Sequence, residues 1–363
     1  MKYLFLLLPL LITACSSSSI KKDSSGADLP EPFEEVSGRP SQNDIARFLA
    51  GRPVHHGAIL SRLQMDSAYQ AFSKDTLSKW KYRASARIAD QRGWEAANLR
   101  PLIGSPRTLF YPFGGPDLMH ALALFPEASN YVLLGLEPAG NLPDLENASP
   151  GDILGSLPGH SKSMETQLKH GYFITKDMKN DLSNGPLQGV TPILLSSLAL
   201  MDAEVSNVQP ISVAGNQGIR IDFSLPGYGR KTVTYISGDV SNSGFGTSYR
   251  SWLNSYSGSV AYFKAASYLM QDSDFSSIKA WVLNNCRAVV QDDSGIPYQS
   301  FEAGKWDIHL FGNYQAPIEF FSKFTQPDLR NAYAAAGAVP PLPFGSGYQL
   351  RPVDSNLTVA VRR

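Results

Sequence analysis

Three features of the chain predict an α/β fold built on a mixed sheet. Residues 108–113 read as a strand, Gly114-Gly115-Pro116 as a turn, 118–124 as a short helix opened by Asp117, and 131–136 as a second strand. Strand, turn, helix, strand is a βαβ unit, which needs parallel pairing and a right-handed crossover. Residues 205–213, 218–225 and 231–237 alternate apolar with polar and are broken at 214–217 and 226–229. That pattern predicts antiparallel hairpins inserted into the α/β frame. Apolar runs at 260–269, 288–291 and 306–311, with a helical pattern at 275–284, then return to the α/β style.

The remaining elements follow from periodicity and punctuation. Residues 44–49 and 58–91 carry helical spacing, with Ile59, Leu63, Tyr69, Phe72, Leu77 and Trp80 on one apolar face, and so form a helical lead-in. Asp117 stands where an N-cap carboxylate would hold the first turn of the next helix. Residues 139–159 are rich in Pro, Gly and Asp and read as a loop, followed by helices at 164–182 and 192–200. Helices at 316–324 and 327–336 close the body, and Pro340-Pro341-Leu342-Pro343-Phe344-Gly345 opens an extended tail over 341–363. The organisation expected is a leader at 1–14, a tether at 15–43 and one large α/β domain over 44–340.

Composition sets outer bounds. At 43% hydrophobic and 11% aromatic residues the chain has the means for a packed core and is not a disordered polyampholyte. Its 32 basic residues balance its 32 acidic ones, so nucleic acid, which selects basic surfaces, is not an expected partner. Beyond the leader no stretch approaches the roughly 20 apolar residues of a membrane-spanning helix. Cys286 sits between a helix end and an apolar strand with no histidine near it in sequence, the setting of a buried small hydrophobe.

Lys2, the apolar run 3–12 and Leu11-Ile12-Thr13-Ala14-Cys15 resemble the signal and lipobox of bacterial lipoproteins. The apolar run is too short to cross a bilayer and has the form of a secretory leader. The resemblance implies cleavage before Cys15 and acylation of that cysteine by palmitate-type chains. With Ser16 following, it also implies sorting to the outer membrane, facing the periplasm. With Cys15 spent on lipid, Cys286 has no intramolecular disulfide partner. Residues 16–43, dominated by Ser, Lys, Asp, Glu, Gly and Pro, then form a solvated tether with a mean reach on the order of 30 Å.

Two groups of residues are candidates for chemistry. In the first, Gly114, Gly115, Asp117 and Glu137 surround the first βαβ turn. This resembles the nucleotide-binding half of Rossmann-like proteins, methyltransferases included, in which a carboxylate at the end of the second strand holds a ribose. The turn departs from G-x-G-x-x-G, and Pro116 removes an amide that a phosphate would use. Tyr111-Pro112-Phe113-Gly114-Gly115-Pro116-Asp117 with Gly135-Leu136-Glu137-Pro138 is also similar to a motif pair of uncharacterised bacterial proteins, and that likeness carries no function.

The second group is Asp292, Asp293 and Ser294, directly after an apolar strand, with His309 in the next. Carboxylates, a serine and a histidine at strand ends are the parts of a hydrolase site; as a polar turn and a sheet residue they are also ordinary. The arrangement works only if the two strands lie side by side and parallel, and a hairpin would separate the two groups. No G-x-S-x-G, H-E-x-x-H or C-x-x-C occurs, and the histidines lack ligand spacing. No metal or cofactor is therefore implied. Two function classes stay open. One is a lipid-anchored envelope protein that binds a small molecule or a protein partner; the other is a hydrolase of an envelope substrate working through the 291–314 loops.

Overall fold

The computed structural model describes residues 33–173 and 185–363, so the leader, Cys15 and most of the tether lie outside the described residues. A single nine-stranded sheet runs through the molecule in the order β3-β4-β5-β2-β1-β6-β7-β9-β8. Its strands are β1 Thr108–Tyr111, β2 Asn130–Gly135, β3 Glu204–Val213, β4 Asn216–Leu225, β5 Gly229–Ser237, β6 Val260–Phe263, β7 Ala288–Gln291, β8 Trp306–Gly312 and β9 Asn356–Arg362. β5, β2, β1, β6 and β7 are mutually parallel, while β3 and β4 add to one edge and β9 and β8 to the other in antiparallel fashion. The fold is therefore α/β with a mixed sheet.

The parallel strands carry apolar residues on both faces because both faces are covered. Leu109, Tyr111, Tyr131, Leu133, Tyr262 and Val290 point into the larger core. That side is covered by α1 (Gln42–Leu49), α2 (Ala58–Gln64), α3 (Ser67–Lys79), α4 (Ser85–Trp94), α5 (Arg100–Ile103), α6 (Leu118–Leu124), α7 (Pro150–His170) and α8 (Thr191–Leu200). Phe110, Val132, Leu134, Ala261, Phe263 and Val289 point into the second core, under α9 (Thr247–Asn254) and α10 (Ser276–Asn285). A last helix, α11 (Pro327–Ala335), packs its Leu329 and Tyr333 on Tyr314 in a small third cluster.

Counted in chain order, the five parallel strands β1, β2, β5, β6 and β7 lie in the order 3-2-1-4-5, the order of doubly wound nucleotide-binding sheets. The chain leaves β1 toward β2 on one side and returns through β6 on the other, so the strand order reverses between β1 and β6. Loops at the carboxyl ends of strands diverge at such a point and open a crevice.

Several expected boundaries shift for physical reasons. The lead-in helix expected over 58–91 is two helices, and the second continues from Ser67 to Ile103 through two π-turns, at Trp80–Ala84 and Glu95–Leu99. The 139–159 segment is not all loop, because α7 begins at Pro150 with Ser149 accepting from the Asp152 amide and runs through Pro158. Its buried residues Ile153, Leu157, His160, Met164 and Leu168 keep helical spacing, and burying that face outweighs the bond Pro158 cannot make. The expected continuation to 182 enters residues that are not described. The extended tail over 341–363 is corrected more fundamentally: Asn356–Arg362 is β9, inserted between β7 and β8. Residues 260–269 are likewise a four-residue strand followed by an irregular loop.

Candidate functional site

A cleft of about 540 Å³ opens at the carboxyl ends of β1, β2, β5 and β6, at the strand-order reversal. Gly114, Gly115, Asp117 and Glu137 all line it, so the structure brings the first predicted group together. Gly115 takes a φ of +50°, and its amide donates to the Leu134 carbonyl at 3.0 Å, tying the turn to β2. Gly114 has a different reason to be glycine: a Cβ there would lie 2.6 Å from the Tyr111 ring. A Cβ at Gly135 would lie 2.6 Å from both Glu137 Oε2 and Tyr235 Oη. The turn is compact because three side chains are missing from it.

Asp117 does not serve as the expected N-cap. Its carboxylate makes no capping bond to α6; instead it accepts from Tyr111 Oη at 2.9 Å, from Gln167 Nε2 at 2.9 Å and from Lys264 Nζ. Lys264 follows β6 directly and also donates to the Gly171 carbonyl. Both side chains of the pair are at most 4% exposed. Burial pulls the Lys264 ammonium below its usual range against the pull of Asp117, which raises it. Burial of an ion pair is tolerated when the remaining donors and acceptors are met, and here Tyr111, Gln167 and Gly171 meet them.

Glu137 is 3% exposed yet holds fewer protein donors. Tyr235 Oη donates to its backbone carbonyl at 2.8 Å and reaches its Oε2 at 3.3 Å. Asp239, beyond β5, lines the same cleft and accepts from the Ser241 amide and hydroxyl at 2.8 Å each. Among the described lining residues, three carboxylates thus face one lysine, and that lysine is already paired with Asp117. The mouth is aromatic: Phe113, Tyr172, Phe275, Phe320, Phe321 and Tyr348 line it, with Phe320 83% exposed.

The second predicted group does not assemble. Asp292, Asp293 and Ser294 are buried immediately behind the loop that leaves β6. Ser294 Oγ–H donates to Asp292 Oδ1, and Ser294 Oγ accepts from the Ala266 amide at 2.7 Å, so its proton is spent internally, and the side chain is fully buried. Asp293 accepts from Tyr268 Oη and from Asn356 Nδ2 at 3.0 Å. β7 and β8 do run in the same direction, but they are not neighbours, because β9 lies between them. His309 sits mid-strand, opposite Val359, which is itself opposite Val290; two strand spacings, about 10 Å, separate His309 from β7. Of the predicted strand-end residues, Tyr314 approaches the aspartates through Gln326, whose amide donates to Tyr314 Oη and whose Nε2 donates to the Asp293 carbonyl.

Sequence reasoning missed Lys264, Asp239 and the 265–268 loop. Reading 260–269 as one apolar run hid the strand end at Phe263, although a lysine directly after four buried residues was the available signal. That loop is the most strained backbone described: Ala265, Ser267 and Tyr268 have φ of +51°, +52° and +58°. Each costs about 1–2 kcal/mol for a residue with a Cβ, and such strain collects where surroundings over-determine the chain.

Among the described residues no three histidine, cysteine, aspartate or glutamate side chains gather as a metal site requires. Cys286 is fully buried, its thiol pushed up to about 12 by that burial. His160, buried against the Leu49 carbonyl and Ser196 Oγ, is pushed down to about 4. Comparison of the chain with family models, with curated proteins and with solved structures finds no match.

Proposed function

We propose that this protein binds a small ligand in the cleft at the β1–β6 strand ends, and that the ligand joins a hydroxyl-rich group, such as a vicinal diol, to a flat apolar group. The observation that carries the reading is the meeting of Glu137 with the Gly114–Gly115 turn at the strand-order reversal. A carboxylate with one long protein hydrogen bond can accept two hydroxyl protons from a diol, and aromatic walls favour a planar partner. The lining argues against a phosphorylated ligand, because the cleft's lysine is already paired with Asp117 and the other two carboxyl-bearing residues, Glu137 and Asp239, offer a phosphate no cationic partner. The resemblance of this βαβ turn to nucleotide-binding halves points the same way for the ribose and not for the phosphates.

Isothermal titration calorimetry with adenosine and with adenosine 5′-monophosphate tests the reading. Adenosine is expected to bind more tightly than its phosphate, and Glu137→Gln to weaken it about tenfold, the scale of one charge-assisted hydrogen bond. Equal affinity for both probes, or an unchanged Kd in Glu137→Gln, contradicts it. Nothing favours the hydrolase alternative, since Ser294 is enclosed and His309 stands apart.

The same proposal places the cleft in the cell envelope. Lys2, the apolar run and the Cys15 lipobox support a lipid anchor with a tether long enough to hold the domain clear of the bilayer. No helix among the described residues is long and apolar enough to cross a membrane; the attachment proposed is through acyl chains on Cys15. Mass spectrometry of the mature N-terminal peptide decides it: an unmodified peptide starting elsewhere than Cys15 refutes the anchor.

A further inference from the structure

Residues 264–267 of the loop that leaves β6 line one wall of the cleft, and the loop's shape is set from behind by Asp292, Asp293 and Ser294, which do not line the cavity, together with Tyr348, which does. The Ala265 amide donates to Asp292 Oδ2 at 2.8 Å, the Ala266 amide to Ser294 Oγ at 2.7 Å and the Ser267 amide to Tyr348 Oη at 3.1 Å. Tyr348 Oη in turn donates to the Ala265 carbonyl at 2.8 Å, and Tyr268 Oη to Asp293. Gly347, with φ +63°, closes over the carboxylate so tightly that a Cβ there would lie 2.0 Å from Asp292 Oδ2. Successive amides in turns that include left-handed residues make a concave cradle for an anion. In this loop the three successive amides are met by the chain's own acceptors, the Ala265 amide by the Asp292 carboxylate and the Ala266 amide by the Ser294 hydroxyl that donates to that carboxylate.

We propose that Asp292 is a positioning residue of the cleft: as an internal anion it holds the 264–268 loop in its strained shape, and loss of its negative charge loosens that wall. Without this clamp the loop loses its hold at Ala265 and, through Ser294, its support at Ala266, leaving Tyr348 and Asp293 to hold the left-handed Ser267 and Tyr268. Lys264 stands at the root of the same loop. The groups facing Asp292 are Asp293 on its own element, Lys264 from the end of β6, and the tyrosines Tyr111, Tyr262, Tyr268 and Tyr348. Burial first and the Asp293 charge second push the Asp292 carboxyl up to about 7, against the Ser294 and Ala265 hydrogen bonds that pull it down. In a local opening that leaves Asp292 enclosed beneath Gly347, the burial cost is the same with the loop open or closed and only the hydrogen bonds differ. Protonation converts charge-assisted bonds into ordinary ones of about half the strength, so the wall loosens as pH falls through neutrality. Global unfolding, which exposes the carboxyl, is opposed by the same protonation. That this changes ligand affinity rests on the cleft being the binding site; the loop's behaviour does not.

Amide hydrogen exchange on the full mature chain, expressed as protection factors so that intrinsic pH effects drop out, separates the two. Between pH 8.5 and 5.5 the protection of Ala265 and Ala266 is expected to fall at least tenfold while the amides of β2 stay constant. Asp292→Asn, which offers one acceptor oxygen where two are used, is expected to show the low-pH value throughout. Ser294→Ala frees the Ala266 amide and removes one donor to Asp292 Oδ1 while leaving the Ala265 amide on Oδ2. If the first variant does not fold, this one is expected to lower protection at Ala266 more than at Ala265, and unchanged protection at Ala266 contradicts the proposal. Flat protection in the wild-type loop across this range, or a fall shared equally by β2, overturns the proposal. Failure of adenosine to bind while the loop behaves as described overturns the ligand reading alone.

Discussion

The two halves of the cleft floor solve the same problem in opposite ways. At the ends of β1 and β2, tight backbone geometry is met by glycines: Gly114, Gly115 and Gly135 stand where a Cβ or an ordinary φ would not fit. The nearby carboxylate, Glu137, is left facing the cavity. At the ends of β6 and β7 the geometry is met by alanine, serine and tyrosine held in the left-handed region, and the nearby carboxylates, Asp292 and Asp293, are taken up by internal donors, the Ala265 amide and Tyr268 Oη of that loop together with Ser294 and Asn356. An acidic residue after a buried parallel strand is thus either a ligand-facing group or a structural anion. The number of internal donors around it decides which.

The strongest way to break this comparison is at the pair that joins the halves. Asp117→Ala strands the buried Lys264 ammonium and is expected to destabilise the fold by about 3–5 kcal/mol in urea unfolding; a loss below about 1 kcal/mol would mean the pair is solvated. Gly115→Val should cost about 2–3 kcal/mol by placing a β-branched side chain at positive φ. Unchanged thermal midpoints there would show the glycine half to be relaxed.

The clamp half has a pH signature. Because the folded Asp292 carboxyl lies near 7 and an unfolded one near 4, the folded state holds an extra proton between those values. Stability contributed at Asp292 therefore rises as pH falls through 7 toward 4, with a slope of up to about 1.4 kcal/mol per unit. His120 and His160, kept neutral by burial, slope the other way below about 6.5, so the informative quantity is the difference between wild type and Asp292→Asn. A flat difference would remove the charge from the argument.

Smaller effects sharpen the contrast. Ala265→Gly should relieve left-handed strain and leave stability equal or higher by up to about 1 kcal/mol, an outcome no glycine of the other half could mirror. Glu137→Gln should move the unfolding midpoint least of all, by under about 0.5 kcal/mol, while weakening adenosine. A large stability loss in that variant would make Glu137 another structural anion and erase the difference between the halves.

What the sequence alone determined was local. The βαβ unit, the three hairpin strands, the short apolar strands and the Gly114–Gly115 turn with Glu137 were legible because each is carried by residues adjacent in the chain, through periodicity, turn chemistry and spacing. The tertiary structure alone decided the rest. Inserting β9 from the far end of the chain between β7 and β8 put His309 out of reach of the aspartates, a choice no local pattern encodes because both arrangements bury the same apolar strands. The roles of Asp117 and Asp292 were likewise decided from outside their own segments. One became the partner of Lys264, 147 residues away, and the other the anchor of a loop 27 residues earlier. A buried carboxylate takes its role from the donors around it, and those donors come together only when the sheet does.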